Sequence, residues 1–119
     1  MKFLEKYDFN KEEIADFLNN SPKKLIDAIK DNKKLVCAIC AAPLLIGKHG
    51  YFKDLEYACF PGCNESITEG TLSEKPLVHS ANFITARSMY YTCDFALEIV
   101  STVKGNERAL EIAKQIKGL

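Results

Sequence analysis

Residues 38–42 place a cysteine where a short apolar segment is predicted to turn into a helix. Alanines stand two residues before and two residues after Cys40. This is the pattern of a nucleophile elbow, in which close backbone packing excludes larger side chains at Ala38 and Ala42. Such a turn lifts the nucleophile out at the carboxyl end of the strands, where open α/β sheets bind their ligands. The pattern therefore predicts a reactive thiol at Cys40, and the alternative is a plain buried cysteine that ends a strand.

The backbone that follows Cys40 is predicted to support this thiol. The N–H of Ala41 comes first after the cysteine and is expected to point toward it, where it can hold an oxyanion. The dipole of the helix that begins near Pro43 favours a thiolate over a thiol. Because only a few per cent of an ordinary cysteine is ionised at pH 7, this setting raises the reactive fraction.

The remaining cysteine spacings suggest a metal site that the geometry disfavours. Cys37 and Cys40 form a C-x-x-C pair, and Cys59 and Cys63 form a C-x3-C pair. Such spacings are typical of zinc sites. Residues three apart on a strand point to opposite faces, so neither zinc nor a thioredoxin-like redox pair fits the first two. We expect no metal and no other cofactor. Cys59 and Cys63 are interpreted as a pocket-wall residue and a loop residue, either able to resolve an oxidised Cys40.

The composition is that of an ordinary globular domain. The chain has 119 residues, 47% apolar and 27% charged, and its 16 basic and 16 acidic side chains cancel. This balance gives no electrostatic reason to expect nucleic acid or an anionic membrane as partner. No apolar run reaches the roughly 18 residues of a membrane span, and we expect no secretory signal. The odd count of five cysteines argues against a disulfide framework, so we expect a soluble cytoplasmic protein.

Apolar periodicity predicts a single α/β domain over residues 1–119. Helices are predicted over residues 10–18, 23–31 (capped by Ser21), 43–48 and 91–104, followed by a last helix that Asn106 caps and that ends near Ile116. Strands are predicted over residues 35–39, 57–60, 77–80 and 83–86. Residues 35–39 and 83–86 have the continuous apolar pattern of strands buried on both faces. A strand without a polar face cannot lie at an edge, so we expect another chain or a missing N-terminal segment to complete the sheet.

Three stretches, taken in order, resemble the ThiJ/PfpI family of the class I glutamine amidotransferase-like superfamily. They are residues 35–43, Ala58-Cys59-Phe60-Pro61-Gly62, and residues 83–87 leading into Asp94-Phe95-Ala96-Leu97. The resemblance implies a flavodoxin-like three-layer sandwich, a family-type dimer and Cys40 as the reactive, oxidisable thiol. It also places four residues near the pocket: Phe60, Pro61, Arg87 and Ser88.

The sequence departs from the family pattern in three respects. Family members begin with a strand, a loop whose glutamate hydrogen-bonds the cysteine, and a glycine-rich loop with a second oxyanion donor. None of these is present, and Glu12 and Glu13 are poor substitutes. Ala41 stands where protease-like members carry a histidine, and Ser88-Met89-Tyr90 replaces a common Gly-Pro-Gly. The chain therefore resembles the C-terminal portion of a family member.

The resemblance implies a glyoxalase- or deglycase-type hydrolase in which Cys40 attacks the carbonyl carbon of a small aldehyde or glycated group. An amidase-like hydrolase is a related possibility, and a peptidase is less favoured without the histidine. Arg87 is expected either to bind an anionic substrate group or to form a surface salt bridge. The alternatives of a different class are a non-catalytic redox sensor or chaperone-like protein, and an incomplete chain with a structural role only. A complementary N-terminal chain or segment would discriminate among them.

Overall fold

The computed structural model describes residues 12, 23–24, 26–31 and 33–119, which fall into two compact units, residues 1–34 and 35–119. In the first unit residues 23–24 and 26–30 are helical, in agreement with the helix predicted over residues 23–31. The Asp31 carboxylate accepts a hydrogen bond from the Lys33 N–H at 3.1 Å, just beyond that helix. The Ser21 cap and, apart from Glu12, the helix predicted over residues 10–18 lie outside the described residues.

The second unit contains five strands and three α-helices. They are β1 (Val36–Ile39), α1 (Pro43–Gly47), β2 (Glu56–Tyr57), β3 (Thr71–Leu72), β4 (Leu77–Ser80), β5 (Phe83–Ala86), α2 (Thr92–Lys104) and α3 (Asn106–Ile116), with a 3-10 turn at Met89–Tyr91 before α2. One sheet has the strand order β1-β5-β4, with β1 parallel and β4 antiparallel to β5. The two-residue strands β2 and β3 form a separate parallel pair.

Strand β5 is the centre of the second unit and matches its prediction. All four of its residues are buried, and Ile84 and Ala86 are completely inaccessible. Phe95 of α2 packs against both, so the helix covers one face of the strand. The turn from β4 into β5 passes through Ala81 with φ of +50°, and both flanking strands have their predicted bounds.

Strand β1 is not buried on both faces, contrary to the prediction. Val36 and Ala38 are buried against the unit, but Cys37 between them is exposed. Among the described residues β1 is also an edge strand, since only β5 pairs with it. Both faces of β1 are therefore apolar, but the described residues bury only one of them. That strands from elsewhere complete the sheet remains a prediction.

The pairing of β2 with β3 was missed by the sequence analysis. Of the strand predicted over residues 57–60, only Tyr57 belongs to an observed strand, where it pairs with Leu72. The Tyr57 ring stacks on buried Phe52 with centroids 4.8 Å apart, and Phe52 meets the Phe83 ring edge-on at 5.4 Å. This aromatic cluster, rather than strand propensity, joins the segment to β5.

Gly70, just before β3, offers a test of this packing. Its φ is +98°, and a Cβ there would lie 2.5 Å from the Phe52 carbonyl oxygen. Gly62 has a similar φ of +91° but open space around it, so Gly62→Ala carries only the backbone penalty, about 1–2 kcal/mol. We expect Gly70→Ala to lower the thermal unfolding midpoint distinctly more than Gly62→Ala. Equal losses would show that the contact with Phe52 is unimportant.

The two long helices pack mainly on each other. Gly105, with φ of +92°, ends α2 and starts α3. Asn106 is not the cap that was predicted: it is the first helical residue, and its side chain accepts a hydrogen bond from the Ser101 hydroxyl instead. No helix in the described part of the chain is long and apolar enough to cross a membrane.

Candidate functional site

Cys40 occupies a strained backbone position at the carboxyl end of β1. Its φ is +66°, in the left-handed region that a side chain with a Cβ enters at a cost of roughly 1–3 kcal/mol. Two hydrogen bonds hold the backbone there. The Cys40 N–H donates to the Ala86 carbonyl at 2.9 Å, and the Cys40 carbonyl accepts from the Phe60 N–H at 2.7 Å. The sharp turn predicted from the small residues is therefore present, and two other segments fix it.

The chain beyond Cys40 continues the turn into α1. The Ala42 N–H donates to the Ile39 carbonyl at 3.2 Å, and the Leu44 N–H donates to the Ala41 carbonyl at 3.1 Å. The Ala41 N–H makes no hydrogen bond to any described residue, so this donor is available to a ligand. Ala42 is exposed, so the described residues do not pack closely around it as the elbow pattern predicted.

One wall beside Cys40 is the segment that follows β2. The buried Thr85 hydroxyl accepts a hydrogen bond from the Ala58 N–H at 2.9 Å, which anchors this segment to β5. Phe60 then reaches the Cys40 carbonyl through its own N–H, while its side chain is 46% exposed and Pro61 is exposed as well. Both predicted residues thus lie in the segment that contacts Cys40 through the backbone.

Thr85 was not among the predicted site residues. The signal that could have revealed it is a single hydroxyl within the otherwise apolar Phe83–Ala86 strand. A polar side chain that is 1% exposed requires a hydrogen-bond partner, and the partner of Thr85 is the Ala58 N–H in the segment beside Cys40.

Arg87 and Ser88 follow the Ala86 carbonyl that binds Cys40, but the Arg87 side chain has a partner of its own. Its Nη2 donates to the Glu74 carbonyl at 2.6 Å, and its N–H donates to the Pro76 carbonyl at 2.9 Å. Arg87 therefore ties down the loop before β4. Ser88 is half-buried, and its carbonyl accepts the Tyr91 N–H at 3.0 Å. Their contribution to substrate binding remains a prediction.

All five cysteines are free thiols in different surroundings. Cys37 and Cys93 are exposed, although nearby atoms still exclude enough water to raise the pKa of Cys37. Burial, and secondarily the nearby Cys63, raises the pKa of Cys59. The Cys40 side chain makes no hydrogen bond or ion pair with a described residue. Within the described ranges no three His, Cys, Asp or Glu side chains are grouped so that they could hold a metal ion.

A cysteine in the left-handed conformation, between a parallel strand and a short helix, defines an α/β protein with a thiol at a nucleophile elbow. Residues 14–102 match the sequence model of the DJ-1/PfpI family, and the chain belongs to that family. The resemblance drawn from the three sequence stretches is confirmed. The predicted flavodoxin-like α/β class is confirmed as well.

Individual relatives extend beyond the region that this chain shares with them. Drosophila melanogaster Protein DJ-1alpha is 38% identical over 82 residues, which cover 67% of this chain and 38% of that protein. The Danio rerio Parkinson disease protein 7 homolog is 30% identical over 103 residues, 82% of this chain and 54% of that protein. The chain therefore spans about half, or less, of the length of these relatives.

Solved structures show the same partial overlap. The crystal structure of Drosophila melanogaster DJ-1beta matches with a TM-score of 0.68 and 27% identity, over 80% of this chain and 52% of that one. Oxidized Toxoplasma gondii DJ-1 matches with a TM-score of 0.69 and 25% identity, over the same shares of the two chains.

Proposed function

We propose that Cys40 is the nucleophile of a glyoxalase- or deglycase-type hydrolase that acts on small aldehydes, such as glyoxals, or on glycated groups. The observation that carries this proposal is the backbone of Cys40, with φ of +66° held by hydrogen bonds on both sides. A strained conformation fixed by its neighbours is typical of functional positions. The partly exposed thiol stands at the carboxyl end of β1, where ligands of open α/β sheets bind.

The first chemical step follows from this geometry. The Cys40 thiolate adds to the carbonyl carbon, a C–S bond forms, and the carbonyl π electrons move to the oxygen. The Ala41 N–H, which has no acceptor among the described residues, is available to stabilise that oxyanion. Phe60, whose N–H holds the Cys40 carbonyl, and the adjacent Pro61 are both exposed, and we propose that they give the site an apolar surface suited to a small, weakly polar substrate.

The next step needs a proton carrier that the described residues do not provide. Carbonyl chemistry requires both a nucleophile and a group that moves protons. No described acidic or histidine side chain forms a hydrogen bond or an ion pair with the Cys40 thiol. We propose that a complementary N-terminal chain or segment supplies this group, together with a second oxyanion donor and the strands that pair with β1. A family-type dimer partner belongs to the same assembly, and five free thiols suit a reducing cytoplasm.

A cysteine-based redox sensor is the second candidate function. The lack of a proton carrier bound to Cys40 among the described residues favours it, because oxidation of a thiolate by peroxide needs no general acid from the protein's own side chains. In that case Cys40 is converted to a sulfenic acid, and no substrate is turned over.

The two functions differ in what the assembled protein does to an aldehyde. We expect it to consume methylglyoxal and to leave peptide and ester substrates intact. Acyl transfer needs the histidine that protease-like members carry, and Ala41 stands at that position here. Nuclear magnetic resonance of the aldehyde and its product measures this directly. Peroxide-dependent change at Cys40 without aldehyde consumption would replace the hydrolase proposal with the redox sensor.

A further inference from the structure

Two cysteines bracket the tight turn that carries Phe60. The turn is closed by a hydrogen bond from the Cys63 N–H to the Phe60 carbonyl at 3.0 Å, and Cys59 immediately precedes it. Gly62 within the turn has φ of +91° and nothing within 4 Å of its Cβ position. The chain thus reverses direction between the two cysteines, and the turn has room to adjust.

The two thiols share one neighbourhood. Cys59 is 3% exposed, whereas Cys63 is half-buried and within reach of small solutes. Burial raises the pKa of Cys59, and the nearby Cys63 raises it further, in keeping with the closeness that the turn imposes. A buried thiol beside an accessible one is the arrangement in which the accessible sulfur reacts first and the buried sulfur then resolves it.

We propose that Cys59 and Cys63 are a redox modification site that closes reversibly to a disulfide across the Phe60-Pro61-Gly62 turn, with a peroxide as the oxidant. This site is separate from the aldehyde chemistry at Cys40 and goes beyond it. A disulfide requires Cα atoms within roughly 7 Å of each other, a span that a single tight turn brings within reach.

The reaction balances in two steps. The Cys63 thiolate attacks one peroxide oxygen, the O–O bond breaks, and water leaves after protonation, so Cys63 becomes a sulfenic acid and the peroxide is reduced. The Cys59 sulfur then attacks the Cys63 sulfur, an S–S bond forms, and the sulfenic oxygen departs as a second water with the Cys59 proton. A small dithiol reverses the bond by exchange.

Closure also bears on Cys40. The N–H of Phe60 is bonded to the Cys40 carbonyl at 2.7 Å, so a bond between the residues flanking this turn acts on a contact that fixes the elbow. The rate at which Cys40 is alkylated is therefore expected to differ between the open and closed forms.

Peptide mapping tests the proposal directly, because trypsin separates the cysteines into three peptides. Residues 35–48 contain Cys37 and Cys40, residues 54–87 contain Cys59 and Cys63, and residues 88–104 contain Cys93. The full chain is treated with graded hydrogen peroxide, then alkylated and digested. We expect the peptide of residues 54–87 to lose two hydrogens and both alkyl groups, and to regain the alkyl groups after dithiothreitol.

Two variants sharpen this experiment. Cys63→Ser, at the half-buried position, should abolish the change, and Cys93→Ser on exposed α2 should leave it intact. A peptide of residues 54–87 that stays fully alkylated, or that carries a sulfinic acid at Cys63, overturns the proposal. A cross-link from residues 35–48 to residues 54–87 also overturns it, since Cys40 would then be the partner.

Discussion

Cys40→Ser is expected to lower methylglyoxal consumption by the assembled protein roughly a thousandfold or more, because a serine hydroxyl stays un-ionised near neutral pH and is a far weaker nucleophile than a thiolate. Serine has nearly the same size as cysteine. It can occupy the left-handed position with the same two backbone hydrogen bonds, so the elbow should survive. The rate of aldehyde loss, measured on preparations with equal unfolding temperatures, gives the effect.

Cys93→Ser is the matched control for this substitution. Cys93 is an exposed thiol on α2. Its replacement makes the same chemical change, sulfur to oxygen, at a position outside the elbow. Its rate should stay within about twofold of the unmodified protein, as for a surface substitution. Aldehyde consumption that persists in Cys40→Ser and falls in Cys93→Ser would move the chemistry away from the elbow.

The chain by itself is expected not to be a stable monomer. Strand β1 has an unpaired outer edge among the described residues, and its pattern Val36-Cys37-Ala38-Ile39 contains no polar residue to protect it. Exposed apolar edges recruit other strands, so we expect association with a second polypeptide or with further copies. Sedimentation and thermal melting of the isolated chain measure this, and a cooperative melt from a clean monomer would refute it.

A charged residue in place of Cys37 tests whether an associated element covers the face of β1 on which Cys37 is exposed. Cys37 is exposed on β1, so Cys37→Lys should be harmless if that face meets only water. If an associated element covers the face, burying the lysine costs several kcal/mol, and association should weaken at least a hundredfold. Cys93→Lys, at another exposed cysteine, serves as the control. Equal association of the two variants would show that this face of β1 stays free.

The elements that local sequence specifies were predicted well. Strand β5 and the turn at Ala81 follow from an apolar run beside short turn residues, and α3 was predicted with its observed end at Ile116. The elbow was predictable because small residues around Cys40 leave few alternatives. The residue types that indicate these features lie close together in the sequence, although the distant Ala86 and Phe60 hold the Cys40 turn in the folded protein.

Features that depend on distant residues were not predictable. The continuous apolar pattern of β1 gave no sign that Cys37 would be exposed, because burial depends on elements elsewhere. The β2–β3 pair rests on the stacking of Phe52 on Tyr57 and on the close approach of Gly70 to Phe52. The engagement of Arg87 with the Glu74 carbonyl also requires the folded loop.

The relative alkylation rates of the five thiols test the central claim most directly. Brief iodoacetamide labelling near neutral pH, followed by mass spectrometry, should find Cys40 modified first, by at least about tenfold, because the elbow presents this thiol at the carboxyl end of β1, next to the Ala41 N–H. Cys37 and Cys93 are more exposed than Cys40, so exposure alone predicts the opposite order. Faster labelling of Cys37, Cys59, Cys63 or Cys93 would contradict the assignment of Cys40 as the reactive residue.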